Sequence, residues 1–247
     1  MKTLIAALLL SATPVMALDL AAMNEGERGA FNDAVRAYLL DNPEVLIEAM
    51  NVLEDRRVMA EAEADATALR ELADQIHNDG HSWVGGNPEG DVTMVEFVDY
   101  RCGVCRQVYG HVFDTVEADG NIRLIIKEFP ILGEESTAAS RFAIAVKQVA
   151  GDDAYRDIHD RLFNLRGGVT EQSLRNLAGD AGLDAEAVLA AMDSEEVSAV
   201  LTANRQLGER MQISGTPTFV IGDQLLRGVP RAGLAPVIEE VRAAQDG

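Results

Sequence analysis

The chain's two cysteines, Cys102 and Cys105, are separated by two residues in a sequence of 247. Before them runs an apolar stretch of strand length, residues 92–98, and after them apolar residues recur at the i, i+3, i+4, i+7 spacing of one helix face. A C-x-x-C pair between a strand and a helix is typical of a redox-active dithiol. The pattern therefore predicts thiol–disulfide exchange as the chemistry of this pair.

The helix gives the two thiols different roles. Cys102 lies at the helix start, where unpaired backbone N–H groups and the helix dipole favour an anion, so its pKa should be lowered and its thiolate should be the nucleophile. Cys105 begins the apolar helix face and should be buried with it. That face continues through Val108, Val112 and Val116. From a buried position the second sulfur can attack the mixed disulfide and release the product.

Other functions of a C-x-x-C pair require groups that this sequence lacks. A structural zinc site needs four ligands, and there is no second cysteine pair. Covalent haem attachment needs a histidine directly after the second cysteine, where Arg106 stands. A structural disulfide stabilises most when it closes a long loop, and this one would close almost none. The histidines lie singly, with His77 and His81 expected in a surface loop and His159 as a partly exposed helix residue.

The composition and the N-terminus restrict partners and location. There are 41 acidic residues against 21 basic ones, a formal charge of −20, which opposes binding to nucleic acid or to an anionic membrane surface. Residues 1–17 have the pattern of an export signal, with Lys2 as the positive start and residues 4–10 as the short apolar run. Cleavage is expected after Ala17, which places the protein in the periplasm, an oxidising compartment.

Residues 24–77 have a helical and polar pattern. One amphipathic helix is predicted to stop before Pro43, which suits the first turn of the next helix. The second helix carries a narrow apolar stripe, so it either packs on the main domain or associates with another chain, and the pattern leaves both interpretations open. Turn residues then mark a boundary, and the predicted domains are 18–80 and 81–247.

The dithiol lies in a predicted βαβ unit that consists of strand 92–98, a helix to about Glu117 and a strand over residues 122–129. Two charged residues, Glu96 and Lys127, interrupt these apolar strands. Each is either a bulge or strand-end residue that faces water, or a functional residue. In the functional interpretation, Glu96 is a buried carboxylate near the dithiol that moves protons, and Lys127 lies close enough to tune it.

After this unit the pattern is helical over residues 135–211, with Asp184 and Ser194 as expected N-caps. A strand over residues 213–221 follows and turns into a second strand, and a final helix ends the chain. Pro217 lies near the start of that strand, and a proline in such a position is usually trans.

Three segments in this order resemble the DsbA-type branch of the thioredoxin fold. They are Val95-Glu96-Phe97-Val98-Asp99-Tyr100-Arg101-Cys102-Gly103-Val104-Cys105, Ile126-Lys127-Glu128-Phe129-Pro130 and Gly215-Thr216-Pro217-Thr218-Phe219. The resemblance implies an α/β fold, a thioredoxin fold with a helical insertion at about residues 135–211, preceded by an N-terminal helical segment. It implies that Pro217 is cis and lies against the dithiol, and that the Thr216 backbone pairs with a substrate strand. It also implies that Glu96 is the buried carboxylate.

The segment Val35-Arg36-Ala37-Tyr38-Leu39-Leu40-Asp41-Asn42-Pro43-Glu44-Val45-Leu46 resembles the one that precedes the catalytic domain in ScsC-like proteins (suppressor of copper sensitivity protein C). Some members of that group are trimeric disulfide isomerases joined through this segment, and others are monomeric redox proteins. The resemblance therefore favours a homo-oligomer, a trimer, that forms through residues 24–77. The dipeptide Gly103-Val104, which is expected to contact substrate, stands where strongly oxidising DsbA enzymes have Pro-His. Without an imidazole there, the disulfide should be less oxidising.

The sequence thus predicts a periplasmic thiol–disulfide oxidoreductase. Cys102 attacks, Cys105 completes the exchange, and Glu96 with Lys127 handles protons. Isomerase or reductase activity on cysteine-containing proteins is favoured, with a membrane reductase of the DsbD type as redox partner and without a cofactor. The alternatives are a DsbA-like oxidase, a protein that binds Cu(I) through the same two thiols, and a holdase scaffold whose cysteines are incidental.

Overall fold

The computed structural model describes residues 22–245, and the predicted export signal, residues 1–17, lies outside the described residues. In chain order the described elements are α1 (Glu25–Asp41), α2 (Glu44–Glu71), α3 (Ala73–His77), β1 (Trp83–Gly86), β2 (Val92–Val98), α4 (Gly103–Asp119), β3 (Ile122–Glu128), α5 (Glu134–Ala150), α6 (Asp152–Asn164), α7 (Glu171–Asp180), α8 (Ala185–Ala191), α9 (Glu195–Arg210), β4 (Thr218–Ile221), β5 (Gln224–Arg227) and α10 (Ala235–Gln245). Among these described helices, none is long and apolar enough to cross a membrane.

The chain divides into two compact units, one of which ends at Met59 while the other begins at Ala60. The division falls inside α2, earlier than the turn-rich boundary near residue 80. The structural boundary follows packing: Leu69, Leu72 and Ile76 belong to a core of the second unit. Turn residues mark where the chain changes direction, and they do not show which side of the turn a helix packs on.

The first unit contains α1 and the start of α2. The Asn24 side chain accepts a hydrogen bond from Glu27 N, and the Glu27 carboxylate accepts one from Asn24 N, which forms a capping box at the start of α1. The helix ends at Asp41 before Pro43, as predicted. Large apolar side chains of this unit are exposed: Phe31, Val35, Tyr38, Leu40, Leu46, Ile47, Met50, Val52, Leu53, Val58 and Met59.

The second unit is built on a five-stranded sheet in the order β1-β3-β2-β4-β5. β2 and β3 are parallel and joined through α4, as the predicted βαβ unit requires, and the other neighbouring strands are antiparallel. Successive strand residues point to opposite faces, so the sheet separates two cores. The dithiol face, with Met94 and Val98, packs against α4 to α8 and α10, and the rear face, with Val95 and Phe97, packs against α3 and the end of α9.

Strand β1 was not predicted, because its glycines are typical of a loop. Gly85 is required here because the Trp83 ring lies across it, and a Cβ at this position would come within 1.9 Å of the ring. The strand pairs antiparallel with β3, with Trp83 opposite Ile126. Pairing with a neighbouring strand therefore forms β1 despite its weak local propensity.

The predicted strand 213–221 begins later, at Thr218. Ile213 donates its N–H to Gly208 O at 2.8 Å, which caps the end of α9 and keeps Ile213 out of the sheet. The residues between Ile213 and Thr218 form a loop in which the Thr216–Pro217 peptide is cis. The cis bond confirms what the DsbA-type resemblance implied, and it corrects the expectation of a trans bond from strand position alone.

Helices α5 to α9 occupy the interval between β3 and β4, where helices were predicted. The Asp184 side chain accepts hydrogen bonds from Glu186 N and Ala187 N, and the Ser194 side chain accepts one from Val197 N. Both are N-caps, as predicted. Helices α5 to α8 and the start of α9 cover the dithiol face of the sheet, whereas Leu207 near the end of α9 belongs to the core of the rear face.

Candidate active site

Cys102 and Cys105 lie at the start of α4, directly after the turn that follows β2. The Cys102 sulfur accepts a hydrogen bond from Cys105 N at 3.3 Å, so the side chain of Cys102 caps the helix. Cys102 is 7% exposed, and Cys105 is fully buried in the core of the dithiol face. Both are free thiols. A substrate sulfur can therefore reach Cys102, whereas Cys105 is inaccessible to it.

The two thiols also differ in their pKa values. Burial raises the pKa of Cys102, but hydrogen bonds with the Thr216 side chain and with the Cys105 and Val104 backbone outweigh it, so this pKa lies below the ordinary thiol value. Burial raises the pKa of Cys105 well above its usual range. The first thiolate to form is therefore at Cys102, where the helix start predicted it.

The loop before β4 lies against the dithiol. The Cys102 thiol donates a hydrogen bond to Thr216 O at 3.1 Å. The next peptide, Thr216–Pro217, is cis, and Thr218 Oγ1 donates to Gly215 O at 2.8 Å, which fixes the loop at its other end. A backbone carbonyl thus stands beside the nucleophilic sulfur, in the position where an extended substrate chain could form backbone hydrogen bonds.

The dipeptide between the cysteines is open to solvent. Val104 is 49% exposed, and a Cβ on Gly103 would meet nothing within 4 Å. Neither side chain can donate a hydrogen bond to a thiolate. What this dipeptide supplies to the Cys102 sulfur is a hydrogen bond from the Val104 backbone.

Glu96 lies buried on the dithiol face, in the central strand β2. Among the described residues, its Oε1 has no hydrogen-bond partner. Burial, and to a lesser degree the negative charge of Cys102, raises the pKa of Glu96 to about 8. At neutral pH Glu96 is therefore mostly a protonated acid within electrostatic range of the dithiol, able to give a proton and take one back.

Lys127 lies elsewhere. It pairs in register with Phe97, so its side chain points to the rear face, away from Glu96. There its ammonium group donates hydrogen bonds to Asp79 Oδ2 at 2.5 Å and to Gln75 O at 3.0 Å. Burial raises the pKa of Asp79, but the lysine outweighs it and the value falls to about 2. This placement corrects the expectation that Lys127 tunes Glu96, since period-2 alternation separates the two charges.

Two family models match the chain. The model described as Thioredoxin matches residues 78–239, more than half of the chain and the whole of the sheet. The chain belongs to the thioredoxin family. The model described as Copper resistance protein ScsC N-terminal domain matches residues 27–58 of this thioredoxin-family protein, a range that lies in its first unit.

Individual similar proteins indicate the group within the thioredoxin family to which the chain belongs. A thioredoxin-like oxidoreductase from Silicibacter pomeroyi DSS-3 is 37% identical, with 70% of this chain and 98% of that chain covered and a TM-score of 0.64. A linker-deletion mutant of Proteus mirabilis ScsC is 25% identical, with 92% and 100% covered and a TM-score of 0.68. Disulfide bond formation protein D of Bacillus subtilis (strain 168) is 24% identical over 154 residues, 58% of this chain and 68% of that protein. Within the thioredoxin family the chain is a DsbA-type, ScsC-like thiol–disulfide oxidoreductase, and the predicted fold class is confirmed.

This thioredoxin-family site also contains a buried network that the sequence did not predict. Glu128 Oε1 accepts hydrogen bonds from the hydroxyls of Tyr100 at 2.7 Å and Tyr155 at 2.6 Å. The Tyr100 hydroxyl also lies 2.9 Å from His159 Nδ1. Burial raises the pKa of Glu128 to about 7, although hydrogen bonds from nearby hydroxyls lower it, and burial lowers the pKa of His159 to about 3.

The network corrects the expectation that His159 is partly exposed, because only 1% of it is accessible. His159 follows Tyr155 by four residues and therefore shares its helix face, so the apolar stripe of α6 already contained the signal. Glu128 could have been identified by the same argument that identified Glu96. Both carboxyls interrupt apolar parallel strands, and the register places both on the dithiol face. No group of three or more His, Cys, Asp or Glu side chains suited to a metal ion occurs within residues 22–245.

Proposed function

We propose that the protein is a periplasmic disulfide isomerase or reductase that acts on cysteine-containing proteins. One observation carries the proposal. The Cys102 sulfur sits at a helix N-terminus with a lowered pKa, 3.1 Å from the backbone carbonyl of Thr216, while Cys105 is buried behind it with a raised pKa. The export pattern of residues 1–17 supports the periplasm, where substrates with disulfides occur.

The first step is attack on a substrate disulfide. The Cys102 thiolate forms a bond to one substrate sulfur, the substrate S–S bond breaks, and the second substrate sulfur leaves as a thiolate. When Cys102 is no longer a thiol, Thr216 O loses its hydrogen bond from the sulfur. That carbonyl is then free to accept a hydrogen bond from the substrate backbone and align the mixed disulfide. Gly103 and Val104 are open to the same chain.

The mixed disulfide then has two fates. In isomerisation a substrate thiolate attacks its own sulfur in the mixed disulfide, which forms a new substrate disulfide and returns Cys102 as a thiolate. In reduction Cys105 gives its proton to Glu96 in its carboxylate form, and its sulfur attacks the Cys102 sulfur. The Cys102–Cys105 disulfide forms, the bond between Cys102 and the substrate breaks, and the substrate sulfur held by Cys102 leaves as a thiolate that takes the proton from Glu96. Two electrons then pass from the dithiol to the substrate, and a membrane reductase of the DsbD type must return them.

The isomerase or reductase direction rests on the dipeptide and on the first unit. Gly103 and Val104 bring no imidazole to stabilise the Cys102 thiolate, so the disulfide should be a weaker oxidant than that of a DsbA enzyme with Pro-His. The exposed apolar side chains of residues 31–59 favour self-association, as a trimer, through the first unit. Several dithiols in one assembly could hold a misfolded protein at more than one point.

A disulfide oxidase is the second candidate. The lowered pKa of Cys102 stabilises the reduced form of the dithiol and so favours oxidation of substrates. The similarity to a protein named for disulfide bond formation supports the same direction.

Acid-quenched thiol trapping in the native compartment distinguishes the two directions. We expect Cys102 and Cys105 to be mostly reduced, because a reductase must keep an isomerase or reductase supplied with electrons. A mostly oxidised pair would overturn the proposed direction and establish the oxidase. Refolding of a scrambled-disulfide protein by the purified chain completes the test, with Cys102→Ser as the inactive control.

A further inference from the structure

The network around Glu128 ties three elements together. Glu128 ends β3, Tyr100 belongs to the turn between β2 and α4, and Tyr155 and His159 come from α6 of the helical insertion. All four are buried. Their hydrogen bonds link the turn before the dithiol to β3 and to α6, beside the Asp99 carboxylate, which accepts hydrogen bonds from Ile131 N and Leu132 N.

Proton positions allow this network two arrangements. When Glu128 is a carboxylate, Tyr100 and Tyr155 both donate to its Oε1, and the neutral His159 donates from Nδ1 to the Tyr100 oxygen. When Glu128 is protonated, it no longer needs the Tyr100 proton, and Tyr100 can donate to Nδ1 of the other histidine tautomer instead. That tautomer carries its proton on Nε2, which has no partner among the described residues. Glu128 Oε2 has no partner there either, so the two arrangements differ in whether Glu128 or His159 receives the Tyr100 proton.

Tyr100 transmits this state to the dithiol. It lies two residues before Cys102, in a turn closed by a hydrogen bond from Cys102 N to Asp99 O at 3.0 Å. The Arg106 guanidinium on α4 donates to Tyr100 O at 3.3 Å. A change in how the Tyr100 side chain is held therefore moves the backbone that sets the position of the Cys102 sulfur relative to Thr216 O.

We propose that Glu128 is a positioning residue for thiol–disulfide exchange, which as a carboxylate holds Tyr100 and, through Tyr100, the turn that presents Cys102. The inference rests on the proposed function and adds to it a second buried carboxyl on the dithiol face. Glu96 acts on protons near the sulfurs, whereas Glu128 acts through the backbone.

The groups that face Glu128 allow it to change state in the working pH range. Asp99 and Tyr100 face it from the turn, and Tyr155 faces it from α6; the Asp99 charge raises its pKa and the hydroxyls lower it. The Ser140 hydroxyl on α5 is a further polar neighbour. With burial as the largest effect, the result is a pKa of about 7.

The test is Glu128→Gln, which keeps the shape of the side chain and removes its ionisation. The ionisation of Cys102 is followed in the reduced protein by thiolate absorbance, and the exchange rate is measured against pH. We expect the pKa of Cys102 to rise and the exchange rate at pH 8 to fall about fivefold, the equivalent of one net hydrogen bond. We also expect the step near pH 7 to disappear from the rate profile.

Two further variants test the link through Tyr100 and provide a control. Tyr100→Phe removes only the hydroxyl that links Glu128 to the turn, and we expect it to reproduce the loss even if Glu128→Gln does not fold. Tyr109→Phe is the matched control, because it removes a tyrosine hydroxyl on α4 that contacts Asn164 and not Glu128, so the pKa of Cys102 and the rate should stay at wild-type values. If Tyr100→Phe keeps the wild-type pKa of Cys102 and the wild-type rate profile, the inference is overturned. The thiolate titration needs no substrate, so its result stands apart from any failure of the proposed function.

Discussion

Replacing Glu96 by glutamine should make the folded protein increasingly more stable than the wild type as the pH rises. The pKa of Glu96 is raised to about 8 in the fold, from 4.5 in an unfolded chain. A group with a raised folded pKa contributes stability that is fully present below the unfolded value and is lost as the pH rises through the folded one. Glutamine cannot ionise, so Glu96→Gln escapes this loss.

The size of the effect follows from the two pKa values. Their difference corresponds to about 5 kcal/mol at high pH, and between pH 5 and pH 9 about 4 kcal/mol of it should develop. Contributions from other groups are common to both proteins and cancel in the comparison. In the oxidised protein the Cys102 charge is absent, so the effect should be smaller there, but it should persist because burial is its larger cause.

The assay is urea unfolding of the reduced wild type and of Glu96→Gln across that pH range, with unchanged m-values as the check that both unfold alike. Glu117→Gln, at an exposed position on α4, is the matched control for the removal of one carboxyl. A wild type and a Glu96→Gln variant whose stabilities run parallel from pH 5 to pH 9 would refute the burial argument for Glu96.

Four further predictions follow from the placement of single residues. Glu96→Gln should slow the release of a small thiol from a mixed disulfide on Cys102 by about a hundredfold, a usual size for a lost acid–base group, while the initial attack keeps its rate; an equal loss in both steps would contradict the proton role. Lys127→Met should destabilise the fold by about 1–3 kcal/mol in urea unfolding, because Asp79 loses its ammonium partner but keeps hydrogen bonds from His81 and Ser82, and it should leave exchange by the folded protein unchanged. Pro217→Ala, which alters the loop at the Cys102 sulfur, should slow thiol–disulfide exchange but leave Cu(I) binding by the two thiols intact. A variant that exchanges at the wild-type rate but no longer binds Cu(I) would instead favour Cu(I) binding as the function. Met50→Glu with Leu53→Glu should convert an oligomer into monomers in sedimentation, and a wild type that is already monomeric would contradict self-association.

Local sequence predicted the features that depend on local physics. The strand 92–98, the start of α4 at the dithiol and the N-caps Asp184 and Ser194 follow from apolar period, helix-end chemistry and side-chain capping. The features that the local sequence did not predict depend on contacts with residues far away in the chain. Strand β1 exists because β3 supplies its hydrogen bonds. Lys127 points away from Glu96 because its pairing with Phe97 in β2 places it on the rear face.

The strand register decided the role of the charged residues, and it explains why Glu96 remains an acid. Lys127 and Glu128 are adjacent in β3, so one faces the rear and the other faces the dithiol. A register shift of one residue would exchange them and bring the lysine to the face that holds Glu96. There the ammonium group would lower the pKa of Glu96, as it does for Asp79, and a carboxylate that is fully ionised at neutral pH has no proton to give to a departing thiolate. The pairing of β2 with β3 thus keeps the buried cation away from the sulfur chemistry, and the acidity of Glu96 follows from that separation.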